Sequence, residues 1–383
     1  MKNILFIMAY SLESNNGHLT KKFDSQINAA EKLGLNVWYT AFSKGRIYLC
    51  NKERKIYLGK SSNISQNILQ CHFIFTKMRK IFKIVPFNIC YIRSTTAIPS
   101  YISALNTIRM NQCKIVIEIP TYPNTTEMEN STRKVFYLIV KIFNRLFGKN
   151  VSKYVDLYTL IGDRADSYEG VKAINIQNGV NIDTLPLKLP SNHSSNELHL
   201  LAVAMMSYWH GYDRILRGLH DYYNNHENRT VSVYLHLVGK SSDGTLNKLE
   251  FMAKEYQIEK YVFFEGFKSG EELNKIFNEC DIALGAFGLY RQNLEYASSI
   301  KVAEYCARGI PFVYGGKNDL LNNELKFCMQ FPNDDSVIEI DSIIKLRDSL
   351  EHFMEIQKEM RIYAYENMTW EKQLEKIITI LEE

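Results

Sequence analysis

The chain has 383 residues, 46% hydrophobic and 23% charged, and its longest apolar run, around 135–140, is far too short to span a bilayer. These values exclude an integral helical membrane protein and point to a soluble globular chain of two ordinary domains. Its seven cysteines are scattered, odd in number and without a C-x-x-C pair, which argues against a disulfide framework or a structural zinc and for a reducing compartment. The formal charge of +4 conceals a division: residues 1–178 hold 25 basic and 11 acidic residues, residues 179–383 hold 21 and 31, and no acid lies between Glu53 and Glu118. The first half is therefore expected to face something anionic, such as a membrane surface, a pyrophosphate-linked lipid or nucleic acid.

Met1 to Tyr10 superficially looks like a signal peptide. A helix-like segment with a glycine break follows it, so residues 2–8 read as the first strand of an α/β domain, 19–33 as a helix ending at Gly34, and 35–39 as a second strand. Between strand and helix lies Ser14-Asn15-Asn16-Gly17-His18, a small-residue loop at the end of a strand where open parallel sheets bind ligands. It lacks the G-x-G-x-x-G fingerprint, so a dinucleotide site is not supported, and an ordinary connecting loop fits equally well.

Residues 46–59 alternate like a β-hairpin around a polar turn at 51–54. Residues 67–84, with Lys77, Arg79, Lys80 and Lys83, and residues 131–153, with Arg133, Lys134, Lys141, Arg145, Lys149, Lys153 and no acid, read as basic amphipathic helices. Such helices either rest on anionic lipid or pack their apolar face into a domain and leave the lysines solvated. Residues 88–93 and 114–118 are further strands. The second leads into Glu118-Ile119-Pro120-Thr121-Tyr122-Pro123, where two prolines stiffen what reads as a loop. Short strands at 156–161 and 173–176 end in Gln177-Asn178-Gly179-Val180-Asn181, and the Pro- and Ser-rich stretch 184–196 is the best linker candidate.

The α/β theme then repeats. A strand at 198–204 opens into Met205-Met206-Ser207-Tyr208-Trp209-His210-Gly211-Tyr212-Asp213-Arg214, and the helix after it buries Ile215, Leu219 and Tyr222. Strands follow at 231–238, 260–264 and 280–284. The stretch Ser298-Ser299-Ile300-Lys301-Val302-Ala303-Glu304-Tyr305-Cys306-Ala307-Arg308-Gly309-Ile310-Pro311 reads as a helix capped by Ser298 and ended by a left-handed Gly309, with a buried strand immediately after. Lys301 and Glu304, three residues apart, project from one side beside the helix N-terminus, whose unpaired N–H groups suit phosphate. A lysine there neutralises a diphosphate and a carboxylate accepts ribose hydroxyls; the plainer alternative is a surface ion pair between the two.

Ser298-x-x-Lys301-x-x-Glu304-Tyr305 followed by Ala307-x-Gly309-x-Pro311 resembles the donor-site signature of GT-B glycosyltransferases, most closely the retaining family 4 enzymes of capsule, O-antigen and exopolysaccharide clusters. The resemblance implies two Rossmann-like, doubly wound parallel-sheet domains facing a cleft: 1–182 on the acceptor side, a linker at 183–196, 197–365 for the nucleotide sugar, and 366–383 as a helix crossing back. Ser298, Ser299, Ile300, Lys301 and Glu304 would hold the nucleotide diphosphate. Gly17 and Ser207 would approach the phosphates, and Gly266 and Phe267 the base. Asn16, His18, Arg93, Glu118, Thr121 and Tyr122 would lie on the acceptor side, the hexapeptide at 118–123 resembling the family's interdomain loop.

Two departures from the family pattern stand out. Where many members place an arginine and a lysine after the first strand of the second domain, this chain has Ser207 or Tyr208, and His210, so Arg214 is the candidate for the missing cation. Where many carry a glutamate eight positions before Glu304, this chain has Tyr296, with Glu295 one place off.

The reaction implied is retaining transfer from a nucleotide diphosphate sugar, UDP first, to a lipid-linked or glycan acceptor. The protein would be cytoplasmic, and the basic helices allow a peripheral place on the inner face of the plasma membrane. No cofactor is implied, and no metal either, since no D-x-D closes a strand and no His/Asp cluster shows ligand spacing. A nucleotide-sugar 2-epimerase of the same architecture and a non-catalytic partner of another transferase are the alternatives. Nucleic-acid binding ranks last, because no recognised motif interleaves aromatics with the basic residues.

Overall fold

In the computed structural model, residues 1–13, 18–61, 67–123, 134–225, 230–322 and 324–383 are described. They form two units, one of Met1–Gly179 with Trp370–Glu383 and one of Val180–Thr369.

The first unit is a nine-stranded sheet. Its strands are β1 (Asn3–Ser11), β2 (Asn36–Ser43), β3 (Arg46–Cys50), β4 (Lys55–Lys60), β5 (Ile89–Arg93), β6 (Lys114–Tyr122), β7 (Leu157–Gly162), β8 (Ser167–Tyr168) and β9 (Val171–Asn175), in the order β4-β3-β2-β1-β5-β6-β7-β9-β8. The central strands run parallel, and β3, β4 and β8 pair antiparallel at the two edges. Strand periodicity divides the apolar residues of β1 between two faces. Leu5 and Ile7 enter one core, while Ile4, Phe6 and Met8 enter the other. The helix Trp370–Glu382 closes that second face, burying Trp370, Leu374 and Ile377 against it and packing on the helix His18–Lys32.

Two expected elements differ. The helix anticipated over 67–84 is two, Asn67–Phe75 and Met78–Ile84, because Thr76 turns its hydroxyl back onto the Phe73 carbonyl (2.8 Å) and ends the first. Lys80 then reaches the carbonyls of Tyr57 and Leu58 on β4, so part of this basic stretch lies against the sheet edge. The second difference is the loop anticipated at 118–123, which is the end of β6. Pro120 is accommodated at a register irregularity between Ile119 and Tyr122, where no ladder N–H is required.

The second unit is a six-stranded parallel sheet of β10 (Glu197–Met206), β11 (Ser232–Ser241), β12 (Val262–Gly266), β13 (Ile282–Leu284), β14 (Phe312–Gly315) and β15 (Cys328–Phe331). Its order, β12-β11-β10-β13-β14-β15, reverses direction between β10 and β13. That is the doubly wound dinucleotide-fold order, whose switch point is where such sheets take ligands. Leu198, Leu200, Ala202 and Ala204 enter one core and Leu201 the other, so helices cover both faces. The segment from 185 to 196 has no regular element beyond a turn, yet it is bound along its length to this unit. Lys188 N–H donates to the Arg308 carbonyl, Leu189 N–H to Asn278, and Ser191 to Asp281.

Candidate donor site

At the switch point the loops after β10 and β13 are pressed together. Gly211 has a φ of +70°, and a Cβ there would lie 2.8 Å from the Gly288 nitrogen; a Cβ on Gly288 would lie 2.8 Å from the Trp209 carbonyl. Only glycine allows this approach. The Phe287 N–H donates to the His210 carbonyl (2.8 Å). Arg291, from the β13 loop, grips both Asp213 oxygens at 2.7 Å, donates to the Tyr208 carbonyl and lies over the Tyr208 ring at 4.2 Å. This bidentate pair fixes one loop against the other, and Asp213 holds the Arg291 pKa above its ordinary value through its hydrogen bonds, outweighing burial. Neither partner was singled out from the sequence, because nothing in a one-dimensional pattern joins positions 78 apart.

The helix Ile300–Arg308 begins here. Its cap is Ser299, one residue later than expected, whose hydroxyl accepts from the Lys301 N–H (3.3 Å). Ser298 and Ile300 flank that cap, and Gly309, at φ +67°, ends the helix as anticipated. The Lys301 stem is partly exposed, but its Nζ is buried and has no hydrogen-bond partner among the described residues. It lies 5.8 Å from the Trp209 ring and 5.9 Å from the Tyr212 ring, whose own hydroxyl is also buried and has no partner among the described residues. Burial alone lowers the Lys301 pKa to about 7.

The surface ion pair weighed for Lys301 and Glu304 is not formed. Glu304 instead accepts from Arg308 Nε (3.0 Å), one turn on, and Arg308 is held in turn by Asn274. Buried polar groups without partners are uncommon, and two such groups, the Lys301 ammonium nitrogen and the Tyr212 hydroxyl, belong to neighbouring side chains here.

His210 is buried, stacked on Trp209 (3.8 Å between centroids) and aligned with Tyr212 (5.5 Å). Its Nδ1 lies 3.1 Å from the Ser207 nitrogen and 3.3 Å from the Ser207 carbonyl oxygen; accepting from the first leaves the hydrogen on Nε2, donating to the second puts it on Nδ1. Burial first, and the Lys301 charge second, lower its pKa well below the ordinary range, which favours the neutral imidazole.

Arg214 is a correction. Its side chain is fully buried and braces the wall: Nε donates to the Ser336 carbonyl, NH1 to the carbonyls of Phe287 and Pro332, and NH2 to the Ser336 hydroxyl. With each nitrogen engaged, it does not serve as the missing phosphate cation. Glu295 is exposed and ion-paired with Lys317 (2.7 Å). Gly266, at φ +69°, has open space where a Cβ would stand, and Phe267 is half exposed beneath Lys240 (5.0 Å). Phe267 is thus not a core residue.

In the first unit, Asn16 and Gly17 and the side chain of His18 lie outside the described residues. Glu118 is fully buried on β6. One oxygen accepts from Lys22 (2.8 Å) and Arg93 (2.9 Å), the other from Gln26 (2.9 Å) and Tyr91 (2.7 Å). The charges of Lys22 and Arg93 and these hydrogen bonds overcome its burial and lower its pKa to about 2. Thr121 and Tyr122 follow at the partly exposed end of the strand. The structure therefore joins Arg93 to Glu118 directly, but in a saturated hub rather than an open one.

Among the described residues, one ligand atom each of His193, Glu197 and His199 lies within 4.8 Å of the others at the start of β10, a grouping the sequence reading did not include.

No family model matches the sequence, and no curated protein does. Solved structures do match. A glycosyltransferase from Rickettsia africae is similar at 13% identity and a TM-score of 0.62, covering 99% of this chain and 98% of its own. The catalytic domain of starch synthase IV from Arabidopsis thaliana, bound to ADP and acarbose, is similar at 10%, 0.62, 99% and 98%. A trehalose-6-phosphate structure from E. coli bound with UDP-2-fluoro glucose is similar at 11%, 0.60, 99% and 99%. Together with the two parallel sheets, these end-to-end likenesses define the fold class as GT-B.

Proposed function

We propose that the chain is a retaining glycosyltransferase of the family 4 type, which moves a sugar from a nucleoside diphosphate, UDP first, to a lipid-linked or glycan acceptor in bacterial surface polysaccharide synthesis. The observation that carries this reading is the Lys301 side-chain nitrogen, buried without a hydrogen-bond partner among the described residues at the start of Ile300–Arg308 and at the sheet's switch point. A diphosphate there supplies the missing counter-charge. The developing negative charge of the leaving group is met by Lys301, the helix N-terminus and, in its Nε2–H tautomer, His210. Glu304, already oriented by Arg308, accepts a ribose hydroxyl, and the open space at Gly266 beside Phe267 receives the base. No nucleophilic carboxylate is invoked; retention follows from front-face attack, with the departing phosphate taking the acceptor proton. The similar structures solved with ADP and with UDP-2-fluoro glucose support a nucleotide sugar as co-substrate.

The acceptor reading rests on the basic first half and on Lys134–Ser152. On that helix Leu138, Ile142 and Leu146 are exposed one turn apart, beside the exposed Lys141, Arg145 and Lys149. An apolar stripe flanked by cations suits an anionic membrane surface, where a lipid-linked acceptor resides. Among the described residues no helix is long and apolar enough to cross a membrane.

Isothermal titration with UDP, GDP and ADP tests the donor site. One diphosphate should bind and weaken by about tenfold or more in Glu304→Ala, roughly 1.4 kcal/mol, and in Lys301→Ala by up to about 3 kcal/mol. Equal affinity in wild type and both variants, or no binding at millimolar concentration, overturns the reading.

A further inference from the structure

At the other end of β10, about 30 Å along the strand from Met206, hydrogen-bond partners fix the tautomer that each of three histidines takes when neutral. His193 Nε2 lies 2.7 Å from the Glu279 carbonyl, which only accepts. The hydrogen is therefore on Nε2, and Nδ1 presents a bare lone pair 3.7 Å from a Glu197 oxygen. His236 Nδ1 lies 3.0 Å from Glu265 Oε1 and donates to it, so His236 Nε2 accepts from His199 Nδ1 at 2.9 Å. That leaves His199 Nε2 without a hydrogen. It is buried and has no hydrogen-bond partner among the described residues, and the His199 side chain belongs to a residue only 9% exposed.

One ligand atom from each of His193, Glu197 and His199 thus lies within 4.8 Å of the others. Such a set is repulsive until a cation enters it. The Glu265–His236–His199 relay is also the outer arrangement that orients a metal-bound histidine and raises its basicity.

We propose that His193, Glu197 and His199 bind one divalent transition-metal ion of the zinc type. Nitrogen and carboxylate donors with one position left for water suit that ion. Zinc ligands at about 2.0–2.2 Å stand about 3.3 Å apart in a tetrahedron, so the three donors must draw together. The His193 and His199 rings are stacked nearly parallel at 3.7 Å, so binding requires the partly exposed His193 to turn off the Glu279 carbonyl and Glu197 to follow, aiming their donors at a common point. The ion joins the segment before β10 to the first and third residues of the strand, beside Asp281, which accepts from the His199 N–H and from Ser191. It acts as a clasp on the second unit, remote from the donor site and independent of the function proposed there.

The test is zinc titration of the EDTA-treated full chain against a competing chelator, with thermal unfolding and the visible absorption of the cobalt form as parallel readouts. One equivalent should bind, raise the unfolding temperature and give the intense cobalt bands of a four-coordinate site. His193→Ala, on the partly exposed segment outside the strand, should abolish all three effects. His236→Gln touches no metal and should weaken affinity by about 10–100-fold. Nucleoside diphosphate affinity should not change. Stoichiometry and affinity unaltered in both variants would place the zinc on thiols or other histidines, and that result, like the absence of saturable binding, overturns the proposal.

Discussion

Lys301 shows how one residue's burial becomes a measurable property. Its pKa falls from an ordinary 10.5 to about 7, so between those values the unfolded chain holds a proton that the folded chain has released. The stability of the ligand-free protein should therefore rise with pH from about 7 toward 10.5, and denaturant titrations of Lys301→Met should lose that slope. Diphosphate binding restores the charge, so titrations at pH 8 in buffers of different ionisation enthalpy should register proton uptake, absent in the variant. Glu118 gives a slope of the same sign in the acid range, but there the shift favours the charged, folded form. Its carboxyl is lowered from 4.5 to about 2, so its contribution is present above pH 4.5 and is lost as the pH falls toward 2. Glu118→Gln leaves Lys22 and Arg93 facing a neutral amide and should cost about 3–5 kcal/mol at neutral pH. An equal loss in wild type and variant on acidification would show that the hub is not the source.

Among the elements, the decisive contact is between two loops. Gly211→Ala adds a Cβ 2.8 Å from the Gly288 nitrogen at a positive φ, a strain of about 1–3 kcal/mol. The loops must separate, which displaces Trp209 and Tyr212 from around Lys301; diphosphate affinity should drop even where the variant remains folded by circular dichroism. The helix Lys134–Ser152 makes a separate prediction. Replacing Leu138, Ile142 and Leu146 by serine should abolish co-sedimentation with phosphatidylglycerol vesicles while leaving diphosphate affinity intact. Unchanged sedimentation would remove this helix from the membrane reading.

On the scale of the whole molecule, the chain leaves its first unit after Gly179 and returns to it at Trp370. The last helix contributes Trp370, Leu374 and Ile377 to a core shared with β1 and β5. Burying three such side chains contributes about 5–9 kcal/mol, comparable to the whole stability of a domain. A chain ending at Thr369 should therefore lose the first unit's thermal transition in calorimetry. The cores of the second unit draw only on Val180–Thr369, so it should still melt cooperatively and bind nucleoside diphosphate.

Local physics made much of this protein legible from its sequence. Alternating and continuous apolar runs marked the strands, Gly309 and Pro311 ended the central helix, and the spacing of Lys301 and Glu304 placed both at a helix N-terminus, because each depends on residues within a few positions of one another. What required the tertiary structure depends on partners far apart in the chain. Arg214 looked like a phosphate cation until carbonyls from residues 287, 332 and 336 claimed its nitrogens. Glu118 was legible as the end of a strand; that Lys22, Gln26, Tyr91 and Arg93 close on it was not. The histidines at 193, 199 and 236 carried no recognisable spacing, and only the parallel pairing of β10 with β11 set His199 against His236. A sequence states which groups are available; whether a charge is paired, buried or left bare is decided by what the fold places around it.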